Sequence, residues 1–127
     1  MVISHPCDIR HFVVYPTIKY CINAGPWDFL NLLKNAEVVI SGSFHATVFS
    51  ILFKRPFFAI NGDTDNRISQ LLFNTNLQNR SIHTNDVAGK VDSWRDINFD
   101  DAFEYVNKER TKAIDYLYYI TETVCQK

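Results

Sequence analysis

The feature that most constrains the fold is a strand, a turn, a helix and a second strand that follow one another without a break. Glu37–Ser41 has a β-branched middle and is predicted to be a buried strand. Gly42 ends it, Ser43 is a good N-cap, and an apolar helix is predicted from there to about Lys54. An Arg-Pro pair stops this helix, and Phe57–Ile60 is predicted to be the next strand. Strands that alternate with helices indicate an α/β fold with a parallel sheet.

Weaker patterns extend this alternation in both directions. Helical spacing of apolar residues, turn signals and capping residues predict the remaining elements. They are extended pieces at Phe12–Tyr15 and Ile18–Ile22, helices at Trp27–Asn35 and Asp65–Phe73, a short strand at Ser81–His83, and a long last helix that begins at Asn98 or Asp100. The last helix has one largely apolar stripe, and on or near it lie Phe99, Phe103, Val106, Arg110, Ala113, Leu117, Ile120 and Val124. Its tyrosines, Tyr116, Tyr118 and Tyr119, are predicted to pack along the helix with their hydroxyls at the surface.

Composition limits the classes of function. The 127 residues fit one domain, residues 1–127, and the net charge of -1 gives no basic surface for nucleic acid. No apolar run approaches the ~20 residues of a membrane span, and no signal peptide is evident. The scattered Cys7, Cys21 and Cys125 support neither a disulfide framework nor a zinc site, and we predict no metal. We therefore expect a cytoplasmic protein, since a reducing compartment fits this cysteine usage.

The turn between the first strand and its helix is the best candidate for a binding site. In an open parallel sheet, ligands bind outside the carboxyl ends of the strands. The free amides and the dipole of a helix start attract an anion, and Gly42 lets a ligand approach the backbone. Ser43 offers a hydroxyl, Phe44 lies beside it, and His45 can shuttle a proton near neutral pH. The alternative is that His45 is satisfied by hydrogen bonds in a packed turn.

A second candidate is the loop Asn61–Arg67, which follows the next predicted strand. If the two strands are neighbours, this loop lies beside the His45 turn, and Arg67 could grip a carboxylate or phosphate with two hydrogen bonds. A cation is mildly unfavourable at a helix start, so its placement there is a modest indication of function. The alternative is a solvated arginine. His5, His11 and His83 lack ligand-spaced partners and are predicted to be surface or loop residues.

The same residues carry a family resemblance. The run Ser43-Phe44-His45-Ala46-Thr47-Val48-Phe49-Ser50-Ile51-Leu52-Phe53, with the strand before it, resembles polysaccharide pyruvyl transferases. Order and spacing match from roughly residue 12 to residue 120, with Asn66-Arg67-Ile68 and Asn79-Arg80 in support. The family motif commonly has Asp and Gly where this chain has Gly42 and Ala46. Losing the Asp removes an acid or orienting group, and losing the Gly narrows the room for a ligand.

The resemblance implies a fold, an activity and partners. The fold would be the Rossmann-like, C-terminal, donor-binding half of a glycosyltransferase B-like enzyme. The activity would be transfer of a pyruvyl group from phosphoenolpyruvate to a sugar of a cell-surface polysaccharide, in exopolysaccharide biosynthesis and without a cofactor. His45 would be catalytic, and Gly42, Ser43, Phe44, His45, Asn61 and Arg67 would bind the donor. The acceptor sugar would be held by a missing N-terminal domain, so we expect the isolated chain to be inactive.

Two further functions stay open on the sequence alone. The chain could be a non-catalytic module that binds an anion or a nucleotide-sugar at the same turn, which the departures at Gly42 and Ala46 favour. It could also be a structural or interaction domain whose open cleft is a docking face. An exposed apolar cleft face would also allow the chain to form a homo-oligomer.

Overall fold

The computed structural model describes Cys21 and residues 24–125. Three strands and five α-helices follow one another along this part of the chain. The strands are β1 (Val39–Ser41), β2 (Phe57–Ile60) and β3 (Ser81–Ile82), and the helices are α1 (Pro26–Asn35), α2 (Phe44–Leu52), α3 (Asn66–Asn74), α4 (Val87–Lys90) and α5 (Asp100–Cys125). Short 3-10 turns at Gln78–Arg80, Thr84–Asp86 and Val91–Ser93 join the later elements.

The three strands form one parallel sheet in the order β1-β2-β3. Val39 lies opposite Phe57 and Ser41 opposite Ala59, while Ile60 lies opposite Ile82. The predicted α/β class with a parallel sheet is therefore confirmed. The extended pieces predicted at Phe12–Tyr15 and Ile18–Ile22 lie outside the described residues, apart from Cys21.

The core forms where α2 and α3 pack against the middle strand. A parallel strand covered by helices is apolar along its whole length, and Phe57, Phe58 and Ala59 are all buried. Phe57 and Ala59 form one core cluster with Ile51 of α2 and Ile68 of α3. The inward faces of the two helices are therefore the ones that meet this strand.

Two polar residues of helix α2 are buried, and the hydroxyl of each has a hydrogen-bond partner. Thr47 and Ser50 are buried, and their hydroxyls donate to the carbonyls of Ser43 at 3.1 Å and Ala46 at 2.7 Å. Such bonds to the preceding turn satisfy a buried hydroxyl within its own helix. Leu52, at the end of the helix, is half-exposed.

Helix α1 has one buried side that meets α2. Leu33 is buried, and the Phe29 ring meets the Phe49 ring edge-on at 6.5 Å between centroids. Trp27 is 83% exposed, although its spacing suggested that it would pack with the other apolar residues. It lies in the first turn of the helix.

The long last helix divides into a packed half and an exposed half. Ala102 is fully buried, and Phe99 and Val106 pack against the core. Beyond them Leu117 is 60% exposed and the tyrosines 116, 118 and 119 are 64–66% exposed. The predicted apolar stripe is therefore buried only in its first half, and the predicted packing of the tyrosines is wrong. The 26 residues of α5 extend about 39 Å, which carries the later turns beyond the small described core.

Candidate functional site

The carboxyl ends of the three strands lie side by side at one edge of the sheet. Gly42 follows β1, Asn61 follows β2 and His83 follows β3. Neighbouring strands are about 4.8 Å apart, so the outer two ends are separated by roughly 10 Å. Each predicted site residue in the first two loops lies at or just beyond this edge. The three loops together define the candidate site.

The turn after β1 is open at its backbone. Gly42 and Ser43 are exposed, and the Ser43 amide donates to the Ser41 hydroxyl at 3.1 Å. The Ser43 hydroxyl caps α2 by accepting from the Ala46 amide at 3.5 Å, a long hydrogen bond. The amides of Phe44 and His45 make no hydrogen bond to another described residue. These two amides at the helix start are free to bind an anion.

The imidazole of His45 lies at the surface of the protein. His45 is exposed, and its ring meets the Phe44 ring edge-on at 5.8 Å between centroids. Phe44 itself is half-buried against the core and fixes the start of α2. The imidazole is accordingly open to solvent at the mouth of the turn, where a ligand can reach it.

Arg67 lies beside the turn that contains His45. Its guanidinium carbon is 5.4 Å from the centroid of the Phe44 ring, close enough for a cation–π contact. Since β1 and β2 are adjacent, the prediction that the second loop lies beside the first is confirmed. The Phe44 ring therefore contacts both the imidazole of His45 and the guanidinium of Arg67.

Asp65 already pairs with this guanidinium. Arg67 donates to its carboxylate from Nε at 3.2 Å and from an Nη at 2.8 Å. The same carboxylate caps α3 by accepting from the amides of Arg67 and Ile68. The hydrogen bonds from Arg67 lower the pKa of Asp65 to about 2. The pair offsets the unfavourable position of a cation at a helix start, and the Arg67 side chain stays 67% exposed.

Asn61 contributes to the loop chiefly through its backbone. Its φ of 50° is left-handed, a conformation that Asn tolerates better than most residues. Its amide donates to the carbonyl of Ile82 at 2.8 Å, and its carbonyl accepts from the amide and hydroxyl of Thr64. Gly62 follows and is buried, and a Cβ there would lie 3.0–3.2 Å from its neighbours. The backbone therefore holds this loop tightly against the end of β3.

His83 belongs to this edge, although its sequence context predicts only a surface or loop residue without a ligand-spaced partner. It is exposed, as predicted, but its Nε2 lies 3.5 Å from an oxygen of Asp63. The available signal was a histidine at the end of the predicted strand Ser81–His83 and an aspartate three residues after the predicted strand Phe57–Ile60. His5 and His11 lie outside the described residues.

The two departures from the family motif differ in their surroundings. Ala46 is buried in the core, so its methyl group packs against apolar neighbours. Gly42 is exposed, and a Cβ added to it would lie 3.5 Å from the carbonyl oxygen of Ile60, an ordinary contact. The methyl group of Ala46 therefore takes up space on the core side of the helix. The change at Gly42 is the one that faces solvent.

Arg80 lies away from this edge. It precedes β3, at the amino end of the strand, and its guanidinium is 5.4 Å from the Phe58 ring. Burial lowers the pKa of Arg80, and the charge of Asp96 partly offsets this. Its environment is typical of a residue that anchors the irregular segment between β3 and α5, and one of its nitrogens donates to the Ser93 carbonyl at 3.4 Å.

The part of the chain that the structure describes contains no cluster of three or more metal-ligating side chains. None of its helices has the length and apolar character needed to cross a bilayer.

Comparison with known proteins gives one family. The model of that family, described as polysaccharide pyruvyl transferase, matches residues 5–64. The match includes β1, the Gly42–His45 turn, α2, β2 and Asn61, and it ends before Asp65. No curated protein and no solved structure matches the chain. Over residues 5–64, just under half of its length, this chain is therefore similar to the polysaccharide pyruvyl transferase family.

Proposed function

We propose that the chain is the donor-binding half of an enzyme that transfers a pyruvyl group from phosphoenolpyruvate to a sugar of a cell-surface polysaccharide. The observation that carries the proposal is the arrangement around Phe44. One ring contacts both His45 and Arg67, next to two free amides at the start of α2. A proton carrier, a cation and an anion-binding backbone therefore meet within the segment that matches the family or directly beside it.

The chemistry of the donor fits the charges at this edge. Phosphoenolpyruvate carries a phosphate and a carboxylate, and both are hydrogen-bond acceptors. The free amides of Phe44 and His45 suit the phosphate, and the planar guanidinium of Arg67 suits a carboxylate. Because Asp65 already accepts two hydrogen bonds from Arg67, the donor must share or displace that pair. Donor binding is therefore expected to rearrange the Asp65–Arg67 contact.

The proposed reaction forms a ketal and releases phosphate. One acceptor hydroxyl adds to C2 of the donor while a proton reaches its methylene carbon, C3, which becomes a methyl group. The C2–O bond to phosphate then breaks, and the second hydroxyl adds to C2. Its proton leaves with the phosphate. In this scheme His45 is the acid that protonates C3, the amides stabilise charge on the departing phosphate, and Arg67 holds the carboxylate.

The acceptor half of the site belongs to another part of the enzyme. We place the acceptor sugar on a separate N-terminal domain, as the family resemblance implies. On its own, the chain would bind phosphoenolpyruvate and transfer little or nothing. An assay of the 127 residues with phosphoenolpyruvate and acceptor tests this, and transfer at an ordinary enzymatic rate would contradict it.

A second candidate is a non-catalytic module that binds an anion or a nucleotide-sugar. Two observations favour it: Asp65 occupies the guanidinium of Arg67, and Gly42 stands where the family motif has an acid. This module would use the same free amides for a diphosphate group. It differs from the transferase in its ligand preference, because a nucleotide-sugar would bind more tightly than phosphoenolpyruvate.

A titration followed by NMR separates these functions. Phosphoenolpyruvate, inorganic phosphate and a nucleotide-sugar are added separately to histidine-labelled chain, and the His45 ring signal is monitored. The transferase predicts a saturable His45 shift that is tightest for phosphoenolpyruvate and weakened about tenfold or more by Arg67→Ala, because a charged hydrogen bond is lost. Lys112→Ala, which breaks an exposed ion pair on α5, is the matched control. A preference for the nucleotide-sugar would identify the binding module, and no response of His45 to any ligand would refute both.

A further inference from the structure

His83 and Asp63 form a histidine–carboxylate pair that the family motif does not include. Nε2 of His83 lies 3.5 Å from Oδ2 of Asp63, and the two side chains remain 61% and 52% exposed. His83 follows β3 directly and Asp63 lies in the loop after β2, so the pair bridges two strand ends. It therefore lies at the same edge as His45, on the other side of the middle strand.

The backbone holds the pair in place from both sides. The Asn61 amide donates to the carbonyl of Ile82, the residue directly before His83, at 2.8 Å. The carbonyl of Asn61 closes the turn by accepting from the amide of Thr64 at 3.0 Å. Between them, buried Gly62 packs without room for a side chain. Asp63 is accordingly presented to His83 from a turn with little freedom to move.

Of the two ring nitrogens of His83, Nε2 is the one that lies near the Asp63 carboxylate. We expect the neutral ring to carry its proton on Nε2, where Asp63 can accept it. Nδ1 then carries the lone pair. A carboxylate that fixes the tautomer of an imidazole in this way produces a general base, as in the serine hydrolase triad. The gap of 3.5 Å is long for a hydrogen bond, and such contacts commonly tighten when substrate binds.

The proposed reaction requires a base, and neither His45 nor Arg67 supplies it. His45 gives a proton to C3 of the donor, so it cannot accept the proton of the attacking hydroxyl in the same step. The guanidinium of Arg67 stays protonated throughout. His83 is a second imidazole at the same edge, and it follows β3, whose end is roughly 10 Å from the end of β1.

We propose that His83 is a second catalytic residue of the transfer, the base that accepts the proton of the first acceptor hydroxyl, and that Asp63 positions its ring. This inference rests on the proposed function. The oxygen–hydrogen bond of the acceptor breaks as the new bond to C2 forms, and Nδ1 of His83 takes the proton. His45 delivers a proton to C3 in the same step, and solvent returns both rings to their starting state. No oxidant, metal or further reactant is needed.

Nitrogen-15 NMR of the chain tests the positioning step without any catalysis. In the neutral ring of His83 the proton should be on Nε2 and the unprotonated signal on Nδ1. Asp63→Asn should move the Nε2 signal, whereas Asp115→Asn, an exposed carboxylate on α5, should not. A proton on Nδ1 in the neutral ring would overturn the inference, because that nitrogen could not then act as the base.

Rate measurements on a transferase that contains both this chain and the proposed acceptor-binding domain test the catalytic step. His83→Ala should lower kcat about 10²–10⁴-fold, the usual contribution of a general base. Added imidazole should restore at least part of the rate, because the exposed site admits it. Asp63→Asn should lower kcat about tenfold, as the loss of an orienting partner does. His83→Gln provides a second variant that fills the same space.

Donor affinity separates this inference from the proposed function. The dissociation constant of phosphoenolpyruvate, followed at the His45 ring, should change less than twofold in His83→Ala. If kcat is within threefold of wild type, or if imidazole gives no rescue, His83 is not the base while the proposed function stands. If wild-type protein shows neither a His45 response nor transfer, the proposed function fails and this inference fails with it.

Discussion

The guanidinium carbon of Arg67 lies 5.4 Å from the ring centroid of Phe44, although the two residues lie in the first turns of different helices. This contact joins the loop after β2 to the turn after β1. It exists because the two strands are parallel neighbours, so that their carboxyl ends meet and each following helix starts at the same edge. The side chain that makes the contact is also the one that holds Asp65.

The first prediction concerns the acidity of Asp65. Removing the guanidinium in Arg67→Ala should raise the pKa of Asp65 from about 2 toward the ordinary value of 3.8, because the side-chain hydrogen bond of Arg67 is the largest cause of the shift. Carbon-13 NMR of the carboxyl signal during acid titration measures this.

The lowered pKa of Asp65 makes the stability of the fold depend on pH in a definite direction. A carboxyl with a lower pKa in the folded state stabilises the fold above its unfolded pKa, near 4, and this contribution is lost as the pH falls toward 2. The Arg67→Ala variant should therefore lose less stability than wild type over that window. An Asp65 midpoint that stays near 2 in the variant would show that the backbone amides, which the variant keeps, dominate the shift.

The second prediction compares two glycines at the sheet edge. Gly42→Ala should change the free energy of unfolding by less than about 0.5 kcal/mol, because the new Cβ meets only the Ile60 carbonyl at 3.5 Å. Gly62→Ala should destabilise by about 1–3 kcal/mol, because its Cβ would lie 3.0 Å from Ile68 and 3.1 Å from Ala59 in a packed site. Urea unfolding of both variants measures the difference.

The space around Gly42 also bears on the family motif, which commonly has Asp at this position. Because Gly42 has space beyond its Cα and no left-handed φ, Gly42→Asp should fold as the wild type does and return an acid to this position. A loss of stability in Gly42→Asp that matched Gly62→Ala would show that this turn is more crowded than the geometry indicates.

The third prediction separates the backbone and the side chain of Asn61. Its φ of 50° should make Asn61→Ala about 1 kcal/mol less stable, whereas Asn61→Gly should be within a few tenths of wild type. Asn61→Gly thus removes the amide side chain and keeps the turn. If the amide contacts the donor, phosphoenolpyruvate should bind more weakly to Asn61→Gly while the melting temperature is unchanged. Equal affinity for the donor would limit Asn61 to its backbone role.

The central elements could be predicted because local signals and burial agree there. Phe57–Ile60 is a strand with the predicted bounds, and Ser43 caps α2 through its hydroxyl as predicted. The second loop could be placed beside the first because parallel strands end at one edge. In each case the backbone preference and the apolar pattern favour the same structure.

The remaining features depend on contacts that no local pattern specifies. The pairing of Asp63 with His83 joins the loop after β2 to the residue after β3, a contact between residues far apart in the chain. The apolar stripe of α5 predicts a buried face, but burial also needs a partner surface of equal length. The described core covers only the first turns of that helix. Its later residues keep the apolar periodicity but are exposed.

The fourth prediction tests this division of α5 with matched leucines. Leu33→Ala should destabilise by about 2–5 kcal/mol, because Leu33 is 2% exposed and truncation leaves a cavity in the core. Leu117→Ala should change the free energy of unfolding by less than about 0.5 kcal/mol, because that side chain is 60% exposed. Both values are measured by urea unfolding at low protein concentration. If Leu117→Ala instead costs as much as Leu33→Ala, the exposed half of α5 is packed in solution. A stability that then rises with protein concentration would identify a second copy of the chain as its partner, since association stabilises the folded state by mass action.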